Sequence, residues 1–198
     1  MHLNILLHHT EKSYRKYHIK VNEVECCISR NVIGFRGTEA DAIDILRDLR
    51  IFPWYNKNIG WSHSGFLKGS LGILKSLEAY LDKEEPLDLV GHSLGGALAL
   101  NVGLLLISRG YNVKGITTFG APRSLLFGTA KKVRKRLKDK NIVIKEYYNL
   151  GDPVSSVPSK FLGYQHVNKI PTKLPKVGKV SYNLDNHNLS LYKKNLIK

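Results

Sequence analysis

The stretch LDLVGHSLGG, residues 87–96, decides the fold of this chain. Its first four residues form a short apolar run, which is typical of a buried strand. The residues from Gly95 onwards, GGALALNVGLLL, are small and apolar, as in a buried helix. The pentapeptide at 91–95 between them matches the pattern G-x-S-x-G. A strand, a sharp turn and a helix in this order predict that Ser93 lies on the turn itself.

The sharpness of the turn explains why positions 91 and 95 are glycines. On so sharp a turn, side chains two residues before and after the serine would collide with neighbouring backbone. The turn also places Ser93 at a helix N-terminus, where backbone N–H groups and the helix dipole favour negative charge. We therefore predict that Ser93 is a nucleophile. The alternative is an ordinary glycine-rich turn between a strand and a helix.

Strands and helices alternate on both sides of this turn. The patterns predict strands at 24–29, 32–36, 87–90, 115–119 and 141–148. They predict helices at 39–51, 65–83, 94–109 and 124–140, with a loop at 52–62. This alternation indicates an α/β fold with a mostly parallel central sheet flanked by helices. Because the chain has 198 residues and neither repeats nor a linker, we expect one domain over residues 1–198.

A strong positive charge distinguishes the composition. Lys and Arg number 31 against 16 Asp and Glu, which gives a formal net charge of +15. Such a charge attracts polyanions, or it only keeps the chain in solution. The segment 130–140 holds seven basic residues and predicts either an anionic membrane contact or a solvated helix face. Nucleic acid is disfavoured, because no finger, recognition-helix signature or aromatic stacking motif is found.

Three features bear on location. The apolar run at 97–107 is about half as long as a membrane-spanning helix. The N-terminal segment lacks the basic start and small-residue cleavage site of a secretory signal. Cys26 and Cys27 are adjacent, which suits neither a structural disulfide nor a zinc site. We expect a cytoplasmic protein that associates with membranes only through its surface charge.

A serine hydroxyl needs a base, normally a histidine that a carboxylate orients. In enzymes built around this turn the chain order is serine, acid, histidine. Of the two downstream histidines, His187 lies in a loop-like stretch and is favoured over His166, which lies near a strand. Asp152 follows a predicted strand, where catalytic side chains of open α/β sheets are found. The other downstream acids are Asp139, Glu146 and Asp185.

An oxyanion hole requires two preorganised N–H donors. The first is expected to be the backbone N–H of Leu94, the residue after the nucleophile. The second should come from an earlier junction between a strand and a loop. The segment FRGT at 35–38 is the best candidate, with Thr38 supplying its N–H and its hydroxyl.

Taken together, these motifs resemble the class 3 lipases, the fungal-type lipase family of the α/β-hydrolase fold. The matching segments, in order, are IGFRGTE (33–39), HSGF (63–66), VGHSLGGALA (90–99), TFGAPR (118–123), GDPVSSVP (151–158) and His187. The resemblance implies Ser93 as nucleophile, Asp152 as acid and His187 as base. It also implies Thr38 and Leu94 as oxyanion donors, with no metal or cofactor.

The resemblance further implies the reaction. The family cleaves acyl esters of glycerolipids through an acyl-enzyme, so we expect a triacylglycerol lipase or a phospholipase-like carboxylesterase that takes a lipid or small ester. The alternative is a non-catalytic, lipase-like scaffold that binds membranes or nucleic acid through its basic segment. The presence of Ser93, Asp152 and His187 together argues against that alternative. The sequence gives no indication of oligomeric state.

The chain departs from the family in two ways. It is shorter than typical fungal lipases and lacks their disulfide-forming cysteines. The segment 39–61 follows the FRGT motif, where the family carries its lid. It is either a small amphipathic lid or a fixed surface helix. If it is a lid, these apolar residues would face the site: Ile43, Leu46, Leu49, Ile51, Phe52 and Trp54.

Overall fold

The computed structural model describes residues 3–15, 19–22, 24–37, 52–168, 172–174 and 182–196. Two predictions fall outside these ranges. They are the helix at 39–51, which is most of the predicted lid, and Thr38, the predicted second oxyanion donor.

The described residues form two sheets, flanked by α-helices and short 3₁₀ helices. The strands are β1 (Ile19–Val21), β2 (Val24–Ser29), β3 (Val32–Phe35), β4 (Pro53–Asn56), β5 (Gly60–His63), β6 (Leu87–His92), β7 (Val113–Phe119), β8 (Leu125–Leu126), β9 (Val143–Asn149), β10 (Tyr164–Gln165) and β11 (Thr172–Leu174). The α-helices are α1 (Leu3–Arg15), α2 (Ser64–Glu78), α3 (Leu94–Ser108), α4 (Phe127–Asp139) and α5 (Leu189–Leu196). The 3₁₀ helices span Val154–Ser156, Lys160–Leu162 and Leu184–His187.

The larger sheet has seven strands in the order β1-β2-β3-β6-β7-β9-β11. From β3 to β11 each strand is parallel to its neighbour, whereas β1, β2 and β3 pair antiparallel. β2 and β3 form a hairpin, and Arg30 lies in the turn between them at a φ of 51°. The mostly parallel central sheet expected from the sequence is therefore confirmed.

Helices cover both faces of this sheet, as parallel strands require. Along β6, Leu87 and Leu89 belong to one apolar cluster, and Val90 belongs to another on the opposite face. The larger cluster contains buried apolar residues from each of α2, α3 and α4. The smaller one joins α1 to α5 through Leu6, Leu7 and Tyr192. Leu89 and Val90 lie in different clusters because successive side chains of a strand point to opposite faces of the sheet.

The smaller sheet corrects one prediction. Residues 52–62 were expected to form a loop, but β4 and β5 form an antiparallel hairpin there. With β8 and β10 they make a four-stranded sheet in the order β10-β8-β5-β4. The aromatic residues of this hairpin are about half exposed. The hairpin therefore lacks the alternation of apolar and polar residues from which a half-buried strand is predicted. The part of the predicted lid that is described is therefore this hairpin.

Two predicted helices are shorter than expected. The helix predicted at 65–83 ends at Glu78, and the backbone N–H groups of Tyr80 and Leu81 then bond three residues back in tighter turns. The helix predicted at 124–140 begins only at Phe127, because Leu125 and Leu126 pair with neighbouring strands. Helix α1 was not predicted.

Two further observations concern the chemistry of the chain. Among the described residues, no helix combines the length and the apolar character needed to cross a bilayer. Cys26 and Cys27 are both free and buried in strand β2. Burial raises the pKa of the Cys26 thiol to about 12, so this thiol stays protonated at neutral pH.

Candidate active site

Ser93 lies on the turn between β6 and α3 and is 2% exposed. Its backbone has φ 56° and ψ −133°, a conformation that non-glycine residues rarely adopt. The flanking glycines permit it. A Cβ on Gly91 would lie 2.2 Å from the carbonyl oxygen of Gly95, and one on Gly95 would lie 2.3 Å from that of Phe35. Such strain, held by close backbone packing, is typical of functional sites.

Asp152 and His187 lie together, beyond the carboxyl ends of the central strands. Nδ1 of His187 is 2.9 Å from Oδ2 of Asp152, and both side chains are buried. Asp152 follows β9, and its Oδ1 accepts the backbone N–H of Val154 at 2.8 Å. His187 ends a 3₁₀ helix. Its Nε2 is buried and has no hydrogen-bond partner among the described residues.

Tyr192 makes a further hydrogen bond to the carboxylate of Asp152. Its hydroxyl donates to Oδ2 of Asp152 at 2.6 Å and accepts the backbone N–H of Asn149 at 3.0 Å. Burial, reinforced by the charge of Asp152, raises the pKa of Tyr192 well above its usual value. The hydroxyl therefore remains a donor at neutral and mildly alkaline pH. Sequence reasoning missed Tyr192, because its contact with Asp152 joins residues 40 positions apart in the chain.

His92 holds the backbone of His187. The two rings stack with their centroids 4.5 Å apart, and Nε2 of His92 lies 2.7 Å from the carbonyl oxygen of His187. Because a carbonyl only accepts, Nε2 of His92 carries the hydrogen. Burial, with a contribution from His187, lowers the pKa of His92 to about 3. His92 precedes Ser93, so the chain-order rule does not select it as the base, and the sequence analysis did not foresee this contact.

Gly120 lies against the acid and the base. It follows β7 at a φ of 58°, and its N–H donates to the carbonyl oxygen of Tyr147 at 2.8 Å. A Cβ at this position would lie 2.8 Å from both Oδ2 of Asp152 and the hydroxyl of Tyr192, and 3.0 Å from Nδ1 of His187. Both the backbone conformation and the space therefore require glycine. The sequence argument quoted this glycine within TFGAPR without giving it a role.

The alternative residues lie elsewhere. Nε2 of His166 is 2.9 Å from the carbonyl oxygen of Ser155, and its Nδ1 is 3.5 Å from Oε1 of Glu146. The side chain of Asp185 accepts a bond from Asn183 at 2.8 Å, and Asp139 is exposed. Glu146 and His166 thus form a second acid–histidine pair, but Nε2 of His166 is already bonded to a carbonyl oxygen. In the pair of Asp152 and His187, Nε2 of the histidine has no partner among the described residues.

One of the two predicted oxyanion donors can be located. Leu94 is the first residue of α3, directly after Ser93. Thr38 lies outside the described residues, but the end of β3 is placed. A Cβ on Gly95 would lie 2.3 Å from the carbonyl oxygen of Phe35 and 2.8 Å from the carbonyl carbon of Arg36. The chain that leads to Thr38 therefore packs directly against the first turn of α3.

The central sheet is mostly parallel and has helices on both faces, and a strained serine lies between one of its strands and the following helix. These features define an α/β hydrolase. Within that class, the model of one family, "Lipase (class 3)", matches residues 32–162, about two-thirds of the chain. The chain belongs to the class 3 lipase family.

Solved structures share the fold. The native Rhizomucor miehei lipase propeptide complex is 22% identical with a TM-score of 0.59, over 80% of this chain and 54% of that one. A triacylglycerol lipase described as having a serine protease triad at its catalytic centre is 23% identical, with a TM-score of 0.58, over 76% and 59%. The triacylglyceride lipase of Rhizomucor miehei is 20% identical, with a TM-score of 0.64, over 87% and 79%.

The lengths differ between this chain and these structures. The chain spans between half and three-fifths of the first two of them. No match was found among curated proteins.

Proposed function

We propose that this chain hydrolyses carboxylic esters of lipids, with Ser93 as nucleophile, His187 as base and Asp152 as acid. The observation that carries the proposal is the hydrogen bond between His187 and Asp152. His187 also stacks on His92, the residue before Ser93, which lies on a strained turn. Membership of the class 3 lipase family supports the reaction. One structural neighbour is itself described as a triacylglycerol lipase with a serine protease triad.

The protonation pattern suits this role. Asp152 accepts hydrogen bonds from His187, Val154 and Tyr192, which is the arrangement of an ionised carboxylate. Nδ1 of His187 therefore carries a hydrogen, and Nε2 is the basic nitrogen. Nε2 makes no bond to any described residue, so it is available to take the proton of Ser93.

The reaction then proceeds by acyl transfer. The Ser93 oxygen attacks the ester carbonyl while Nε2 of His187 takes its proton and passes it to the leaving alcohol. The N–H groups of Leu94 and Thr38 would stabilise the oxyanion, and each is worth about 3–4 kcal/mol in the transition state. Water, deprotonated by His187, then attacks the acyl-enzyme and releases the acid. None of these steps requires a metal or a cofactor.

The basic helix supports a finer proposal about the substrate surface. On α4 these lysines are exposed and have no ion-pair partner in the described part of the chain: Lys131, Lys132, Lys135 and Lys138. Helix α4 is bonded to the β4–β5 hairpin, since Thr129 accepts the N–H of Trp61 and Arg136 donates to the carbonyl of Asn58. That hairpin carries Tyr55 and Trp61, about half exposed and in edge contact at 5.5 Å.

Lysines beside exposed aromatic rings suit the interface of an anionic membrane. We therefore propose phospholipid bilayers as the surface on which the chain acts, with triacylglycerol or phospholipid esters as substrates. Binding to anionic vesicles should weaken with salt and in the double variant Lys131→Gln/Lys135→Gln. The matched control is Lys68→Gln/Lys75→Gln, on exposed positions of α2. Equal losses in the two double variants would contradict a role for α4.

The alternative, a binding protein on a non-catalytic scaffold, has less support, because the family comparison favours a hydrolase. We also propose that residues 1–198 form one domain, since both apolar clusters pack against the same central sheet. The test of the function is turnover of p-nitrophenyl esters of increasing chain length, compared between the native chain and Ser93→Ala. Turnover that survives in Ser93→Ala, or its absence in a folded native chain, would overturn the proposal.

A further inference from the structure

A cavity lies beside the loop that carries Asp152, and Ser93 is not among the described residues that line it. Its volume is about 280 Å³. The side chains that matter here are Arg123, Tyr148, Asp152, Lys160, Lys173 and Tyr182. Strand pairing explains part of this set, because Lys173 on β11 lies directly beside Tyr148 on β9.

The cavity has an excess of positive charge. Lys160 and Lys173 are exposed and have no ion-pair partner among the described residues. Asp152 is the carboxylate in the described lining, and His187, Tyr192 and Val154 already donate to it. The lining therefore offers three basic side chains against one carboxylate whose hydrogen bonds are committed elsewhere.

Arg123 is the buried part of this site, with only 8% of its surface exposed. Its Nη1 donates to the carbonyl oxygens of Ser156 and Pro158 and so holds the loop after Asp152. Its Nε is buried and has no partner among the described residues. A buried donor without a partner is unfavourable, so this residue of the lining retains an unused hydrogen-bond donor. Burial also lowers the pKa of Arg123.

His166 contributes a wall of the cavity rather than a donor. Its Nε2 already contacts the carbonyl oxygen of Ser155, and its Nδ1 faces Glu146. Tyr182 is 73% exposed, and its hydroxyl lies 3.1 Å from Oγ of Ser156. Tyr148 and Tyr182 line the same cavity as Arg123.

We propose that this cavity binds a phosphate group, either that of a small phosphomonoester or that of a lipid headgroup. One arginine, two lysines and two tyrosines line it, and this excess of basic side chains favours a phosphate dianion over a carboxylate with a single charge. The volume lies just below the range of pockets for drug-sized ligands, so it suits a phosphate with a short organic stem. Asp152 lines this cavity and is also the proposed catalytic acid, but binding needs no ester cleavage and can be measured apart from the proposed reaction.

Calorimetric titration of the full chain with inorganic phosphate and with glycerol 3-phosphate tests the site, because neither ligand contains a carboxylic ester. Both should bind, and acetate should bind at least tenfold more weakly. The variant Lys160→Gln/Lys173→Gln should weaken phosphate binding at least tenfold, and Tyr182→Phe should weaken it less. The matched control Lys68→Gln/Lys75→Gln, with the same change in charge, should stay within twofold of the native chain.

Three results would overturn the proposal: no phosphate binding to the folded native chain, acetate binding as tight as phosphate binding, or equal losses in the two double variants. Vesicles distinguish the two sources of phosphate. If Lys160→Gln/Lys173→Gln also loses affinity for phosphatidic acid vesicles relative to the control variant, the ligand is a lipid headgroup. If only soluble phosphate binding falls, the ligand is a free phosphomonoester. Either result supports the site.

Discussion

Replacing Gly120 with alanine should separate the acid from the base. The new Cβ would lie 2.8 Å from Asp152 Oδ2 and 3.0 Å from His187 Nδ1, whereas ordinary contacts begin at 3.4 Å. Those atoms must therefore shift by about 0.4–0.6 Å, which disturbs the 2.9 Å hydrogen bond between them. Because a misplacement of about 1 Å can cost roughly a hundredfold in rate, we expect kcat for a soluble ester to fall about 10- to 100-fold.

A matched control separates crowding from backbone strain. Gly110 also has a positive φ, 85°, but a Cβ there would meet nothing within 4 Å. Alanine in this conformation costs about 1–2 kcal/mol, so Gly110→Ala should lower Tm by roughly 2–8 °C and leave kcat unchanged. Gly120→Ala should lose both stability and kcat. The reasoning would be refuted if Gly120→Ala kept kcat within threefold of the native chain, or if Gly110→Ala lost as much.

Two further predictions concern buried polar groups. Tyr192→Phe leaves a buried backbone N–H unpaired and removes a donor from the acid, so it should cost about 2–4 kcal/mol and lower Tm by roughly 5–15 °C. Tyr192→Phe should lower kcat and leave KM unchanged. The control Tyr80→Phe alters an exposed ring and should change neither kcat nor KM. A change in KM without a change in kcat would contradict the role given to Tyr192. Burial lowers the pKa of His63 to about 4 and that of His92 to about 3, from 6.5, so the unfolded chain binds more protons than the folded one. Stability should be full above about pH 6.5 and fall as the pH drops to 4, by up to roughly 1.4 kcal/mol per pH unit for each histidine. Urea unfolding that is flat over this range would count against the buried, neutral histidines.

The fold was largely predictable because its central elements are buried. An apolar strand and an apolar helix around Ser93 give strong patterns, and the structure has both, as β6 and α3. The hairpin at β4 and β5 was missed because Trp54, Tyr55 and Trp61 are about half exposed. Exposed aromatic residues on an antiparallel edge do not produce the alternation from which strands are recognised.

Contacts within the candidate site could be predicted where a rule of chemistry or chain order applied. That rule selected Asp152 and His187, which the structure places 2.9 Å apart. The rule could not identify Tyr192, His92 or Gly120, because their roles depend on contacts between elements far apart in the chain. The hydroxyl of Tyr192, for example, reaches Asp152 across 40 residues. Such contacts become visible only once the elements are packed together.

Labelling of Ser93 by a fluorophosphonate probe tests the central claim most directly. Such probes form a covalent bond with a serine only when a base activates its hydroxyl. The account predicts stoichiometric labelling of the folded native chain, located by mass spectrometry on the peptide that contains Ser93. It predicts no labelling in Ser93→Ala and at least a hundredfold slower labelling in His187→Ala. A folded native chain that does not label, or that labels at another serine, would contradict the account.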